Sequence, residues 1–477
     1  MCSRSHRYGT VPYIARAWPG ISFICVIMTA FLLFGCSRKT LRESEDYSIL
    51  VDTSQQIGKV TLRYGANEDD NWMDFARDVT THELHRDVGS EYIRVWVSDP
   101  DWRESTIPLR GNEYDFANLD AFINAVIDSD AIPYILFAHS PPELRKRYSH
   151  NTNAPPDDIE EFANYVHEVM VHLDRMCRNG IWKTCDINKW YFEIWNEPWE
   201  DIWWQDSVPL YVRLYNETYR RIKEVAPQAK VGGYSLSFTN SVSREKVERL
   251  LKQCELDFIS IHHYGNTLKE RSSESDRMDN VKDLFYESVL RLEQFILEMA
   301  EDKQITIVNS EYSSDYRASY MLHLDEQYTA AWYASALIWQ IKSMGIDLEM
   351  YYSGTSNQQH GGFGMWSKRP DGSYTSWPVF HMKKQFVAFN AYGADVYYTN
   401  SESRDIDIIA VNNAGRIFVT LVNKDEWSHT VQISVKGHHH AQMVNTADKS
   451  EMYFIGGSAS SIPIGSYEVK FFEIYAL

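Results

Sequence analysis

The feature that most constrains the fold is a regular alternation of short, apolar, strand-like runs with longer amphipathic runs. It begins near residue 61 and continues to about residue 390. The eight strand candidates are residues 61–65, 92–97, 133–138, 190–195, 230–233, 258–262, 305–309 and 347–352. Strands that alternate with helices form parallel sheets, and eight such units are typical of a TIM barrel. In that fold, catalytic groups lie at the C-terminal ends of the strands.

The amphipathic runs between these strands fit helices on the outside of such a barrel. They cover residues 119–129, 159–178, 208–225, 281–301 and 325–344. The alternative architecture is an open, doubly wound sheet, which usually carries glycine-rich phosphate-binding turns. Neither G-x-G-x-x-G nor G-x-x-x-x-G-K-[ST] opens a helix in this sequence. The sequence therefore favours an α/β fold with a closed (β/α)8 barrel over residues 61–390.

The pattern changes near residue 391. From there, short runs of alternating apolar residues are separated by turns such as Asn413-Ala414-Gly415. This pattern of short alternating runs and turns predicts an accessory β-sandwich over residues 391–477. We expect residues 47–60, which precede the barrel, to contribute one strand to it.

The N-terminal segment resembles an export signal. Residues 1–20 carry three arginines and no acidic residue, and residues 21–35 are almost entirely apolar. The apolar run is shorter than the roughly 20 residues that span a bilayer. It ends Leu33-Phe34-Gly35-Cys36, which resembles a bacterial lipobox. We therefore expect a signal peptide over residues 1–36, lipidation of Cys36, a tether over residues 37–46 and an exported lipoprotein. Cleavage by an ordinary signal peptidase, giving a secreted protein, is the alternative.

Three cysteines lie outside this segment: Cys177, Cys185 and Cys254. They form no C-x-x-C pair, so the sequence does not indicate a cysteine-based zinc site. Cys177 and Cys185 flank Gly180. This spacing is compatible with a disulfide in an oxidising compartment and equally with two free buried thiols.

Composition narrows the range of partners. With 66 acidic and 47 basic residues, the chain has a formal charge of −19, and no basic surface for binding phosphates is indicated. Nucleic acid is therefore not an expected partner. Aromatic residues make up 14% of the chain. Such residues fill cores, and they also line sugar-binding clefts, where flat rings stack on the apolar faces of pyranoses.

Two strand ends carry the residues with the clearest chemistry. The string W-Y-F-E-I-W-N-E-P-W places Asn196 and Glu197 at the end of the fourth strand, and the seventh strand ends in Ser310-Glu311-Tyr312. Because barrel strands all end at one face, we expect Glu197 and Glu311 to face each other. Glycosidic cleavage requires such a pair. One carboxyl group protonates the leaving oxygen, and the other attacks the anomeric carbon or activates water.

These strings, together with the sixth-strand string D-F-I-S-I-H-H-Y, resemble the retaining glycoside hydrolases of clan A. Within the clan they are most similar to family 39, which contains β-xylosidases and α-L-iduronidases. The resemblance covers roughly residues 47–477. It implies that Glu197 is the acid/base and Glu311 the nucleophile. It also implies that Asn196 contacts the sugar 2-hydroxyl, that Tyr264 holds the nucleophile, and that His262 positions the sugar or the acid/base.

Further candidate sugar contacts come from other strand ends. Arg94, on the second strand, is expected either to donate to the carboxylate pair or to form a structural ion pair below the rim. The eighth strand offers Tyr352 where family members commonly have a stacking Trp. His139, after the third strand, is a substitute sugar contact. No His follows the first strand, where Asn67 or Glu68 is available instead.

Two assignments near the acid/base motif compete with structural roles. Trp199, with Trp203 and Trp204, is interpreted as a stacking rim for further sugar units, with core packing as the alternative. Glu193 lies on the same strand as Glu197, four residues earlier, and is expected to be structural.

Taken together, the sequence predicts a retaining, β-xylosidase-like glycosidase. It is expected to act on an oligosaccharide or polysaccharide, to need no metal or organic cofactor, and to contact membranes through its lipid anchor only. A catalytically inactive carbohydrate-binding lipoprotein is one alternative. A clan A glycosidase of another family, endo-acting or arabinosidase-like, is another. The sequence does not specify the sugar, its anomer, the exo or endo mode or the oligomeric state.

Overall fold

A computed structural model describes residues 46–68, 72–97, 105–110, 113–145, 154–183, 185–199, 203–204, 206–235, 237, 241–269, 272–300, 302–317, 327–356, 363–437, 441–445, 452–455 and 459–476. The predicted signal peptide, Cys36 and almost all of the tether lie outside the described residues. Within the described part of the chain, no helix is long and apolar enough to cross a membrane.

The strands, numbered in chain order over the described residues, are β1 (Asp46–Lys59), β2 (Arg63–Asn67), β3 (Tyr92–Val97), β4 (Leu109–Arg110), β5 (Glu113–Tyr114), β6 (Ile132–Phe137), β7 (Tyr191–Ile194), β8 (Lys230–Gly233), β9 (Phe258–His262), β10 (Thr306–Tyr312), β11 (Ile346–Tyr351), β12 (Thr355–Ser356), β13 (Trp366–Lys368), β14 (Tyr374–Ser376), β15 (Asp395–Ser401), β16 (Ile406–Asn413), β17 (Arg416–Asn423), β18 (His429–Lys436), β19 (Ala441–Asn445), β20 (Met452–Ile455), β21 (Ser460–Ile464) and β22 (Val469–Ala476).

The α-helices, numbered in the same way, are α1 (Trp72–Arg77), α2 (Val79–Val88), α3 (Ala117–Asp128), α4 (Ile159–Arg178), α5 (Val208–Val225), α6 (Ser241–Gln253), α7 (Glu274–Asp279), α8 (Ser288–Met299), α9 (Gln327–Ser343) and α10 (Pro378–Phe389). A 3-10 turn (Ile187–Lys189) precedes β7, and a π-helical turn (Asp283–Glu287) leads into α8.

Eight parallel strands close into a barrel in the order β2-β3-β6-β7-β8-β9-β10-β11, and β11 pairs with β2. The predicted (β/α)8 TIM barrel is confirmed. Because side chains alternate along a strand, every second residue points into the barrel. Tyr92, Tyr134 and Phe258 belong to the apolar cluster that fills its interior. Arg94 lies two residues after Tyr92 on β3, and Glu193 lies two residues after Tyr191 on β7. These two side chains form an ion pair, so the barrel interior becomes charged above the apolar cluster.

The outer helices form for reasons that are visible in their sequences. Helix α4 begins after Asp158, whose carboxylate accepts hydrogen bonds from the backbone nitrogens of Glu160 and Glu161 at 2.8 and 3.3 Å. Its last turn carries Arg175 and Arg178, whose positive charges interact favourably with the negative end of the helix dipole. Apolar residues on one face of α4 are buried against the barrel.

The accessory domain is a nine-stranded sheet in the order β20-β19-β22-β17-β16-β15-β1-β18-β21. The N-terminal strand β1 lies between β15, to which it is antiparallel, and β18, to which it is parallel. One face of these strands contributes to a single apolar cluster. Only residues 456–459 separate β20 from β21, at opposite edges of the sheet, so the sheet must curl around this cluster. The β-rich part of the chain is therefore one continuous curled sheet.

Helices α9 and α10 connect the barrel to this sheet. The Phe389 ring, at the end of α10, stacks on Phe418 with ring centroids 4.1 Å apart. Asp407 on β16 accepts hydrogen bonds from the Ser335 hydroxyl and from Trp339 Nε1 on α9, the latter at 3.0 Å. Packing and hydrogen bonds thus fix the curled sheet against the barrel.

The structure decides between the two possibilities left open for the cysteines near the end of α4. Cys177 and Cys185 are joined by a disulfide bond, with their Cα atoms 5.1 Å apart. Cys254 is a buried free thiol, and burial raises its pKa to about 12.

Candidate active site

Arg94, on β3, lies at the centre of the polar layer inside the barrel. Its Nε and Nη2 atoms donate to Glu193 Oε2 at 2.9 and 2.7 Å, and its Nη1 donates to Glu311 Oε1 at 2.5 Å. Nη1 also donates to Asn67 Oδ1 at 3.1 Å, and Nη2 to Asn196 Oδ1 at 3.3 Å. Burial opposes the charge of Arg94, but Glu193 and Glu311 outweigh that effect and raise its pKa. A permanent positive charge therefore lies between two carboxylates.

Glu193 occupies the floor of this site and is completely buried. Besides Arg94, its Oε1 accepts hydrogen bonds from Ser235 Oγ at 2.6 Å and Ser310 Oγ at 3.2 Å. Burial favours the neutral acid, but Arg94, His262 and the Ser235 hydroxyl overcome it and lower the pKa of Glu193. Glu193 is therefore an anion that is fixed in place from several sides.

Glu311 reaches the site because β10 is irregular. The register of β10 against β9 shifts between Asn309 and Glu311. As a result, the consecutive residues Ser310 and Glu311 both point into the barrel, where a regular strand would direct them to opposite faces. Glu311 Oε2 accepts a hydrogen bond from the Tyr264 hydroxyl at 2.8 Å, opposite the oxygen that contacts Arg94.

Glu197 follows β7 and lies nearer to solvent. Its side chain is 20% exposed, compared with 8% for Glu311. Its backbone adopts a φ of +44°, which turns the chain sharply at the barrel rim. Glu197 Oε1 lies 2.7 Å from His262 Nδ1, and His262 Nε2 lies 3.1 Å from Ser310 Oγ. Burial disfavours the charge of His262, but Glu311 and Glu197 together raise its pKa.

The distance between the two outer carboxyl groups restricts the chemistry. A carboxylate oxygen of Glu197, one of Glu311 and a ring nitrogen of His262 all lie within 4.8 Å of one another. In retaining glycosidases the two carboxyl groups lie about 5–5.5 Å apart, whereas inverting enzymes need about 6.5–9.5 Å to admit a water molecule. An oxygen–oxygen approach below 4.8 Å fits the shorter separation of the retaining class.

The same three side chains are also the set, among the described residues, whose ligand atoms are close enough to hold a metal ion. Here these atoms already have partners. Glu311 pairs with Arg94 and Tyr264, and Glu197 pairs with His262. The existing positive charge of Arg94 disfavours a cation beside Glu311.

Trp199, predicted to be a stacking surface with core packing as the alternative, lies among other aromatic rings. Its ring packs against Tyr211 and Tyr234, with centroid distances of 5.3 and 5.6 Å, and only 8% of the residue is exposed. Trp204 is likewise buried against Tyr211. Both indoles contact Tyr211 on α5, because the turn after Glu197 directs them back onto that helix.

The other two predicted aromatic contacts lie at the rim. His139 follows β6 and is buried in an aromatic cluster, with its ring centroid 5.9 Å from Trp96 and 5.8 Å from Trp203. Tyr352 follows β11 and is half-buried, with its ring 5.0 Å from that of Phe363.

Asn67 and Glu68 hold neighbouring segments together at the end of β2. Asn67 Nδ2 donates to the carbonyl oxygens of Ser310 and Met350 at 3.0 and 3.1 Å. Glu68 Oε1 contacts His85 Nε2 at 2.9 Å and accepts from the backbone nitrogen of Thr355 at 2.8 Å. The structure thus places both residues in the framework of the site, where they fix the strand ends that carry Glu311 and Tyr352.

Comparisons with known proteins agree with this geometry. The family model described as glycosyl hydrolases family 39 matches residues 53–452, and the chain belongs to this family. It is a retaining glycoside hydrolase.

The sequence identity to individual relatives is low. The chain is 24% identical over 373 residues to a β-xylosidase of Caldicellulosiruptor saccharolyticus, covering 73% of this chain and 71% of that protein. It is 25% identical over 322 residues to a β-xylosidase of Geobacillus stearothermophilus, covering 61% and 58% of the two chains. Among solved structures, the GH39 enzyme from Xanthomonas axonopodis pv. citri superposes with a TM-score of 0.66 at 16% identity, covering 93% of this chain and all of that one, which shows a shared fold.

Sequence reasoning did not identify every residue that builds this site. It assigned Glu193 only a structural role, and it did not single out Ser235 or Ser310. The available signal was the spacing on β7, because Tyr191 and Glu193 share the inward face. A charged residue that points into a barrel requires a partner of opposite charge, and Arg94 is that partner.

Proposed function

We propose that the chain hydrolyses β-xylosidic bonds by double displacement, with Glu197 as acid/base and Glu311 as nucleophile. The observation that carries this proposal is the close approach of the two carboxyl groups, within 4.8 Å. The names of the two relatives described above, both β-xylosidases, support the choice of sugar.

In the first step, Glu311 attacks the anomeric carbon while Glu197 gives its proton to the departing oxygen. Arg94 and Tyr264 each donate to one oxygen of Glu311, which holds this carboxylate in a fixed orientation. In the second step, Glu197 removes a proton from water, which attacks the glycosyl-enzyme ester and releases the sugar with its original configuration.

Glu197 must gain and lose a proton in every cycle, and its surroundings suit that task. It is the more exposed of the two carboxyl groups, so water and the leaving group can reach it. Its contact at 2.7 Å with His262 fixes its orientation. Asn196, held by Arg94, lies directly beside it in the sequence and is proposed to contact the sugar 2-hydroxyl.

The test is hydrolysis of nitrophenyl β-xyloside and of xylo-oligosaccharides by a soluble form that starts after Cys36. Glu197→Ala and Glu311→Ala should each lose activity, and azide should restore product formation by both. Glu311→Ala should then yield the glycosyl azide of inverted configuration, and Glu197→Ala that of retained configuration. Glu298→Ala, a substitution at an exposed position, serves as control. If the wild type hydrolyses no substrate, and the wild type and both site variants bind xylan equally, the alternative of an inactive carbohydrate-binding lipoprotein holds instead.

We further propose that the protein is exported and carries a lipid on Cys36, as its lipobox-like string suggests. The full chain, expressed in a bacterium fed a labelled fatty acid, should incorporate label and sediment with membranes. Cys36→Ser should remain unlabelled. An unlabelled wild-type protein in the medium would support the secreted alternative.

A further inference from the structure

The site contains a third carboxylate that the two-carboxylate reaction does not require. Glu193 is fully buried below Glu197 and Glu311, and it takes two of the hydrogen bonds of Arg94. No exposed surface connects it directly to a bound sugar, so its effect must pass through its neighbours.

The contact with Glu193 determines where the guanidinium points. A guanidinium is planar, and its donors have a fixed arrangement. Because Nε and Nη2 both donate to Glu193 Oε2, the plane of Arg94 is fixed and Nη1 is directed toward Glu311 Oε1. The serine hydroxyls of residues 235 and 310 hold Glu193 in turn.

Glu193 also divides the charge of Arg94. One arginine faces two buried anions, so each receives only part of the stabilisation that a full ion pair would give. A nucleophile that is bound too tightly by a cation loses electron density that it needs for bond formation. A competing anion on the far side of the guanidinium counteracts this effect.

We propose that Glu193 is a positioning residue that aims Arg94 at Glu311 and limits how strongly Arg94 holds the negative charge of Glu311. This inference rests on the proposed role of Glu311 as nucleophile. It assigns to Glu193 a part in the rate of attack and no part in binding the sugar.

The pH profile distinguishes this role from a purely structural one. The titratable or charged groups that face Glu193 are Arg94 on β3, Tyr134 on β6, His262 on β9 and, beyond Arg94, Glu311 on β10. Removing the charge of Glu193 leaves more of the positive charge of Arg94 and His262 for the remaining carboxyl groups. The added positive field favours the charged form of a carboxyl group, so the profile of kcat/KM should move toward acid.

The experiment compares Glu193→Gln, Glu193→Asp and Ser235→Ala with the wild type. Glu193→Gln should reduce kcat by about 10²-fold, with little change in KM, since misdirected catalytic groups cost about that factor. Its pH profile should shift to lower pH. Glu193→Asp keeps the charge but shortens the reach to Arg94, so it should lower kcat without moving the profile. Ser235→Ala disturbs the same cluster without changing its charge, and its profile should also stay in place.

A 2-deoxy-2-fluoro xylosyl fluoride isolates the step in question, because it forms the covalent bond to Glu311 and then hydrolyses slowly. Inactivation by this probe should be slower in both Glu193 variants. If Glu193→Gln does not fold, Glu193→Asp alone decides, and an unchanged inactivation rate overturns the proposal. A wild-type pH profile in a folded Glu193→Gln, or an effect on KM only, overturns it as well. If the probe does not label Glu311 in the wild type, the proposed function itself fails.

Discussion

Two of the buried charge networks among the described residues of the barrel differ in composition. In the active site, one arginine is shared by Glu193 and Glu311. His262 adds a third link, because its Nδ1 lies 2.7 Å from Glu197 and 3.6 Å from Glu311. In the second network, Lys383 on α10 pairs with Glu349 on β11 at 3.0 Å, one cation to one anion. Both members of that pair are completely buried.

Neighbouring groups form hydrogen bonds with both members of the Lys383–Glu349 pair. Glu349 Oε2 accepts hydrogen bonds from the hydroxyls of Tyr312 and Tyr333 at 2.7 and 3.2 Å. Lys383 Nζ donates to the carbonyl oxygen of Gly65 at 2.6 Å. Burial lowers the pKa of Lys383 despite the opposing influence of Glu349. A balanced pair of this kind joins a strand to a helix, whereas the excess of carboxyl groups in the other network leaves reactive oxygens for a substrate.

The largest loss of stability should follow the removal of the positive charge of Arg94 or of Lys383. Arg94→Met and Lys383→Met should each lower the free energy of unfolding by about 3–5 kcal/mol, because each leaves a buried carboxylate without its counter-charge. Only Arg94→Met should also reduce kcat, by about 10²–10³-fold, the usual loss when a fixed donor to a reacting group is removed. Urea unfolding and nitrophenyl xyloside hydrolysis at a temperature where both variants are folded check this. A large loss of kcat in folded Lys383→Met would contradict the distinction.

Paired substitutions should separate the networks further. Lys383→Met with Glu349→Leu should regain most of the stability lost in Lys383→Met, because an apolar pair of similar volume often replaces a buried ion pair at little cost. Arg94→Met with Glu193→Leu should not regain hydrolysis, since Glu311 still lacks its donor. The measurements are again urea unfolding and initial rates. Recovery of activity by the second pair would show that Arg94 serves only to neutralise Glu193.

Removing an uncharged hydroxyl donor from Glu193 or from Glu349 should produce a smaller difference in kcat between the two networks. Ser235→Ala and Tyr333→Phe each remove one hydroxyl donor to a buried carboxylate, at about 1.5–3 kcal/mol of stability. Ser235→Ala should in addition lower kcat several-fold, while Tyr333→Phe should leave kcat at the wild-type value. Equal effects of both on kcat would mean that barrel rigidity, and not the position of Glu193, controls the rate.

The smallest effect is on the pH dependence of stability. The pKa of His262 is raised above 6.5 in the folded protein, so its contribution is complete below pH 6.5 and is lost as the pH rises through the folded value. The pKa of Glu193 is lowered from 4.5, so its contribution is present above pH 4.5 and is lost as the pH falls through the folded value. The Tm difference between wild type and His262→Gln should therefore shrink above pH 6.5. A difference that grows with pH would show that His262 is neutral in the folded state.

The sequence was sufficient to predict the barrel and the close approach of Glu197 and Glu311, since strand alternation and the N-E-P and S-E-Y strings are local patterns. It was insufficient where side-chain direction depends on a partner strand. The irregular register of β10, which turns both Ser310 and Glu311 inward, is a property of its pairing with β9. In the same way, the burial of Trp199 depends on the turn after Glu197 and on its contacts with Tyr211 and Tyr234, which no short motif encodes.

The position of β1 has a consequence for synthesis on the ribosome. Asp52 on β1 contacts Lys436 on β18 at 2.8 Å, across 384 residues of chain. β1, the first strand of the described residues, must therefore wait until its partners β15 and β18 have been made, by which point the chain already contains all of the barrel strands. Contacts this distant in sequence form late and slowly. We therefore expect the curled sheet to close last, and until then its apolar face is exposed to aggregation.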